Sequence, residues 1–81
     1  MIVTLRLFSV LREALGSGLV EVELEEGTTG AELVELLAEN QETVKRLQSV
    51  IRLAIKDEYV NAGITLNDGD EVAFVTPVSG G

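Results

Sequence analysis

The chain contains no cysteine and no histidine. Without cysteine it can form no disulfide, no thiolate metal site and no thioester. Without histidine it lacks the commonest general base and the commonest zinc ligand. It also has no glycine-rich phosphate loop, so few catalytic groups are present. Catalysis by this chain alone is therefore the weakest of the functions considered, and we expect no metal site and no permanently bound cofactor.

Basic residues are scarce, with six lysines and arginines against fourteen acidic residues among 81. The resulting net charge of −8 repels phosphate backbones and anionic lipids, so we expect neither nucleic-acid nor membrane binding. No apolar run with a cleavage site is present near the beginning, which favours a soluble cytoplasmic protein. One proline and a hydrophobic fraction of 46% indicate a folded chain, predicted to be a single domain over residues 1–81.

Alternating apolar residues predict strands along the chain. The predicted strands are residues 2–8, 19–25, 51–56, 59–60 and 71–77. In the first of them the alternation places Phe8 on the face opposite to Leu5 and Leu7. In the last, Val75 falls on the face opposite to Phe74. Two apolar side chains are thus predicted to lie outside the core.

Apolar residues at three- and four-residue spacing predict helices. The first is capped by Ser9 and ends at Gly16. The main helix begins at a capping box formed by Thr29 and Glu32 and extends through Ala38. A further helical piece is predicted over residues 42–49, with its apolar side formed by Val44, Leu47, Val50 and Ile51. Turns are predicted at Asp57-Glu58 and at Asn67-Asp68-Gly69-Asp70.

This order of elements predicts an α+β fold in which one main helix packs across a mixed sheet of about five strands. The right-handed crossover rule allows the last strand to lie parallel to the first, in the centre of the sheet. The prediction is a ubiquitin-like β-grasp fold.

Residues 76–81, with the sequence TPVSGG, are predicted to form a mobile C-terminal tail. Pro77 cannot donate a sheet hydrogen bond and would close the ladder. Two glycines add no side-chain bulk, and six extended residues span roughly 20 Å, enough to enter the active site of another protein. The alternative is an ordinary frayed terminus.

Three segments, LRLFSVLREALG, IRLAIKDEYV and LNDGDEVAFVTPVSGG, resemble the small subunit of molybdopterin synthase, a family of sulfur carriers in molybdenum cofactor biosynthesis. The resemblance implies that an ATP-dependent activating enzyme adenylates Gly81, which then becomes a thiocarboxylate. It also implies that the tail enters the large synthase subunit, where two carriers in succession supply the dithiolene sulfurs from cyclic pyranopterin monophosphate. Thr76 departs from the family, which commonly has proline at this position.

The same resemblance assigns roles to individual residues. Gly81 would carry the reactive group, Gly80 would give clearance in a narrow channel, and Pro77 would set the exit of the tail. The remaining positions expected to contact partners are Phe8, Arg12, Tyr59, Val75, Val78 and Ser79, with Arg6 as a further source of charge. For Phe8, Tyr59 and Val75 the alternative is ordinary surface packing.

Other functions remain open at this point. Sulfur carriers for thiamine thiazole, tRNA thiolation or cysteine synthesis would use the same Gly-Gly chemistry, although Pro77-Val78-Ser79 favours the molybdopterin branch. A ubiquitin-like modifier joined to target lysines would also end in Gly-Gly. An inert β-grasp binding module is the third alternative.

Overall fold

The computed structural model describes residues 1–77. The five strands are β1 (Ile2–Leu7), β2 (Leu19–Glu23), β3 (Arg52–Ile55), β4 (Glu58–Val60) and β5 (Glu71–Val75). The helices are α1 (Ser9–Leu15), α2 (Gly30–Asn40) and α3 (Glu42–Leu47), followed by a 3-10 turn at Gln48–Val50. The predicted order of elements is confirmed, with strand ends that differ from the predicted ones by a few residues.

The strands form one mixed sheet in the order β2-β1-β5-β3-β4. The last strand, β5, is parallel to β1, as the crossover rule allowed, and antiparallel to β3. Phe74 marks the centre of the sheet, where it is aligned with Leu7 on one side and with Leu53 on the other. The strand that leads to the predicted tail is therefore held by hydrogen bonds along both edges.

The helices cover only one face of this sheet. Leu11 of α1, Leu33 of α2 and Val44 of α3 are buried in the same core as the inward side chains of the strands. Phe74 and Val72 are completely buried there, as their alternation predicted. The full set of buried apolar residues is Val3, Leu5, Leu7, Leu11, Leu24, Leu33, Val34, Ala38, Val44, Leu53, Leu66, Val72 and Phe74. Within residues 1–77 no helix packs on the other face of the sheet, which we call the outer face.

The predicted capping box at the start of α2 is confirmed. The Glu32 backbone N–H donates to Thr29 Oγ1 at 3.2 Å, and the Thr29 backbone N–H donates to Glu32 Oε1 at 2.9 Å. The first helical residue, Gly30, is buried, and its N–H donates to the carbonyl of Ile64 at 3.0 Å. A Cβ at Gly30 would overlap the side chain of Leu53, so the helix can approach the sheet this closely only with glycine at that position.

The turn at residues 67–70 is also confirmed, and it is fixed to the first strand. Gly69 has φ +86° and donates its N–H to the carbonyl of Ile2 at 2.8 Å, while Asp68 Oδ1 accepts from the N–H of Ile2 at 2.7 Å. Asp70 Oδ2 accepts from the N–H of Asn67 at 2.8 Å. These bonds fix where β5 begins relative to β1.

Two local predictions about helix ends are wrong. Ser9 is the first residue of α1 and not its cap. The cap position belongs to Phe8, whose backbone is extended and whose side chain cannot accept a hydrogen bond. Val50 is 41% exposed instead of buried, because the helical piece tightens into a 3-10 turn that rotates this residue away from the core.

The turn predicted at Asp57-Glu58 lies one residue earlier, at Lys56 and Asp57. Both residues have positive φ, 53° and 65°, as a two-residue hairpin turn of type I′ requires. Glu58 is paired with Ile55 and so belongs to β4. Aspartate tolerates this left-handed conformation better than most residues do, whereas lysine gives no such signal in a sequence.

Candidate functional site

The strand register aligns five residues in a row across the outer face. Arg6 of β1 is the partner of Leu19 and of Ala73, Ala73 is the partner of Ala54, and Ala54 is the partner of Tyr59. Residues paired in this way point to the same side of a sheet. Because Val72 and Phe74 point into the core, this row lies on the outer face.

A second row lies closer to the end of β5. Val75 is the partner of Arg52, and Leu7 is the partner of Phe74. The backbone of Phe8 is extended, with φ −129° and ψ 156°, so the register continued by one residue places Phe8 next to Val75. We call the two rows together the exit patch, because β5 leaves the sheet there. The exit patch consists of Leu19, Arg6, Ala73, Ala54, Tyr59, Phe8, Val75 and Arg52.

The three apolar residues expected to contact a partner thus share one face. Phe8 is 48% exposed, Tyr59 is 70% exposed and Val75 is half-buried. Tyr59 lies on the edge strand β4, two strands from β5 and therefore about 10 Å across the sheet. Phe8, Tyr59 and Val75 therefore lie on a common surface, and the role of that surface in partner binding stays a prediction.

The two arginines expected to supply charge have different surroundings. Arg12 of α1 lies over Gly18, its Nε 3.5 Å from the point that a Cβ on Gly18 would occupy. Gly18 accepts a hydrogen bond from the N–H of Leu7 at 2.9 Å, so Arg12 is at the end of the sheet where β1 and β5 both stop. Arg6 is bound to Glu71 at 3.2 Å, in an exposed pair worth at most about 1 kcal/mol.

Pro77 is exposed and follows the end of β5, as expected. Val78, Ser79, Gly80 and Gly81 lie outside the described residues, so their predicted roles are untested by the structure. In the described range no group of three or more acidic side chains could hold a metal ion. Nor does any helix among residues 1–77 have the length and apolar character needed to cross a membrane.

Leu19 and Arg52 are members of the exit patch that were not predicted as site residues. Leu19 is the second most exposed of the large apolar residues in the described range, at 58%, and Arg52 is exposed. Alternation within the third strand did put Arg52 on the outer face. Only the register between distant strands, however, reveals that Arg52 is the direct neighbour of Val75.

Comparison with known proteins identifies the family to which this chain belongs. Residues 5–81 match the model of the ThiS family, and the chain belongs to that family. No curated protein sequence matches it.

Solved structures with similar folds carry several different names. The crystal structure of SAMP1 from Haloferax volcanii is 26% identical, with all of both chains covered and a TM-score of 0.82. A chain in the complex of subunits 1 and 2 of the molybdopterin-converting factor from Helicobacter pylori is 27% identical, again with all of both chains covered and a TM-score of 0.70. A chain in the Amycolatopsis orientalis BexX/CysO complex is 26% identical over 98% of this chain and 99% of that one, with a TM-score of 0.68.

These similarities confirm the predicted fold. The protein has the ubiquitin-like β-grasp fold of ThiS-type sulfur carriers, and the resemblance to the molybdopterin synthase small subunit is consistent with this family.

Proposed function

We propose that this protein carries sulfur as a thiocarboxylate on Gly81 and donates it within a molybdopterin synthase. The observation that supports this most strongly is the closing sequence GDEVAFVTPVSGG, which lies inside a ThiS family match extending to residue 81. The chain offers no thiol or imidazole for an alternative carrier chemistry.

The chemistry needs only the terminal carboxylate. An activating enzyme joins that carboxylate to the α-phosphate of ATP, releasing pyrophosphate and forming an acyl-adenylate. A hydrosulfide or persulfide sulfur then attacks the carbonyl carbon, and the bond to the phosphate oxygen breaks as AMP leaves. With hydrosulfide the thiocarboxylate forms directly, whereas a persulfide leaves a disulfide that a thiol must cleave. No side chain of this protein takes part, in keeping with its composition.

The position of β5 supports the idea of a presented tail. Pairing with β1 holds one edge of β5 as far as Phe74, and pairing with β3 holds the other edge as far as Val75. Pro77 follows two residues later and cannot extend the ladder. A firmly held central strand would allow residues beyond Pro77 to enter a partner while the domain itself stays rigid.

The exit patch is the surface that would face that partner. Phe8 and Val75 lie at the end of the sheet from which the chain leaves, and Tyr59 adds an aromatic ring with a polar tip. Aromatic and arginine side chains are enriched among residues that dominate binding energy. Docking through this patch would direct the tail into the active site of the large subunit, and docking to the activating enzyme would present the same tail for adenylation.

Two other functions of the same fold are supported by specific similarities. The similarity to a chain of the BexX/CysO complex leaves room for a carrier with a different protein partner, and the similarity to SAMP1, the small archaeal modifier protein 1, favours a role as a protein modifier. The molybdopterin branch is preferred because the residues that precede the two glycines, Pro77-Val78-Ser79, match that family.

The test is reconstitution with the large synthase subunit and cyclic pyranopterin monophosphate. We expect the thiocarboxylated protein to yield molybdopterin, and a variant with one alanine added after Gly81 to yield none. Dithiolene formation by the extended variant would contradict the tail mechanism. Loaded protein that forms no molybdopterin would contradict the pathway, and lysine-linked conjugates on denaturing gels would then favour the modifier role.

A further inference from the structure

The exit patch differs in charge from the rest of the protein. The chain carries fourteen acidic residues and a net charge of −8. Nevertheless, the eight residues of the exit patch include two arginines and no aspartate or glutamate. The nearest acidic residues on the outer face belong to the next row, where Glu21 is the partner of Thr4 and Thr4 is the partner of Glu71. An area without carboxylates thus lies on a strongly acidic molecule, and Glu71 of the neighbouring row offsets the charge of Arg6 but not that of Arg52.

Within this area Arg52 has no intramolecular partner among the described residues. In the range 1–77 the one ion pair within 4.0 Å joins Arg6 to Glu71, so no described carboxylate lies that close to Arg52. Arg52 is exposed and is the direct strand neighbour of Val75, in the row that also contains Phe8. Its guanidinium group is therefore available beside the apolar part of the exit patch.

We propose that Arg52 is a specificity-determining residue that binds a carboxylate on the large synthase subunit, next to the pocket that receives Phe8 and Val75. This inference rests on the proposed function, because it assumes a protein that docks on the exit patch. A guanidinium group presents two parallel N–H donors that fit a carboxylate, and arginine is favoured over lysine in such contacts. Charge complementarity at an interface acts mainly on partner choice and association rate.

The partner surface would then have a specific composition. An aspartate or glutamate would face Arg52, and an apolar pocket would lie beside it. A uniformly basic surface would attract the acidic protein as a whole but would be repelled at Arg52. A carboxylate opposite Arg52 therefore distinguishes the matching partner from basic proteins that bind any acidic molecule.

The experiment compares Arg52→Glu with Arg46→Glu. Arg46 is exposed on α3, away from the exit patch, and the change in net charge is the same in both variants. Binding of each variant to the large subunit and to the activating enzyme of the same organism is measured by calorimetry. We expect Arg52→Glu to weaken binding to the large subunit by about tenfold, and Arg46→Glu to change that binding by less than about twofold. Arg52→Lys, which keeps the charge but loses the paired donors, should fall between them.

Several outcomes of this binding experiment would overturn the role proposed for Arg52. Equal losses of affinity in the two glutamate variants would show that only net charge matters. Unchanged binding of Arg52→Glu would show that Arg52 lies outside the interface. Either result overturns the inference while leaving the sulfur-carrier proposal intact. If the wild-type protein binds only the activating enzyme, the molybdopterin assignment and the proposed contact of Arg52 with the large subunit both fail, while sulfur loading of Gly81 stands. Binding of the wild type to neither protein overturns both proposals.

Discussion

Replacing Phe8 with aspartate should weaken partner binding without unfolding the protein. Phe8 is 48% exposed, so roughly half of its side chain is already covered within the domain. It also occupies the cap position of α1, where aspartate is among the preferred residues and where no side chain now caps the helix. The substitution therefore removes an exposed apolar group from the exit patch at a site where the backbone tolerates the new residue.

The magnitude follows from the exposed area. Full burial of a phenylalanine side chain contributes about 1.5–3 kcal/mol. Because half of that area remains for a partner to cover, the expected loss is about 0.7–1.5 kcal/mol, or a three- to twelvefold increase in Kd. Placing the aspartate carboxylate in an apolar pocket of the partner would weaken binding further, so the measured loss of binding free energy should not fall below this range.

The assay is titration calorimetry of the variant against the large subunit, with circular dichroism to confirm folding. The matched control is Leu36→Asp, because Leu36 is 44% exposed on α2, on the opposite side of the sheet from the exit patch. We expect the control to bind like the wild type. An unchanged Kd for Phe8→Asp, or an equal loss in Leu36→Asp, would refute the assignment of Phe8 to the docking surface.

Two further predictions concern stability at the start of α2 and are checked by urea unfolding. Gly30→Ala should lower the free energy of unfolding by about 1–3 kcal/mol, because the added Cβ overlaps Leu53 and comes within 3.1 Å of the Ala62 carbonyl oxygen. A variant as stable as the wild type would show that α2 can shift away from the sheet at no cost. Thr29→Ala should cost about 1 kcal/mol by removing the hydroxyl that caps the N–H of Glu32, and a loss well below that would mean that the capping box contributes little in solution.

The sequence was sufficient to predict the sheet because its strands alternate clearly. Val72 and Phe74 are buried and Val75 lies on the outer face, as their parity required. The capping box was predictable for a similar reason, since Thr29 and Glu32 form a local pattern with a direct physical meaning. The central place of β5 is one that the handedness of the crossover allows, and the predicted order of elements placed it there.

The errors arose where tertiary structure overrides local preference. Ser9 is a favoured cap, yet the extended backbone continues one residue beyond β1 to Phe8, which takes the cap position. Nothing in the sequence indicates that Lys56 adopts a positive φ, which the hairpin between β3 and β4 imposes on it. The adjacency of Arg52 and Val75 depends on a register between strands about twenty residues apart, which no local pattern determines.

The most direct test of the central claim is the intact mass of the protein after incubation with the activating enzyme, ATP and a sulfur donor. We expect one terminal oxygen to be replaced by sulfur in the wild-type chain. The variant extended by one alanine after Gly81, which should keep the same fold, should keep its original mass. An unmodified wild-type protein under these conditions would contradict the account and favour an inert β-grasp module.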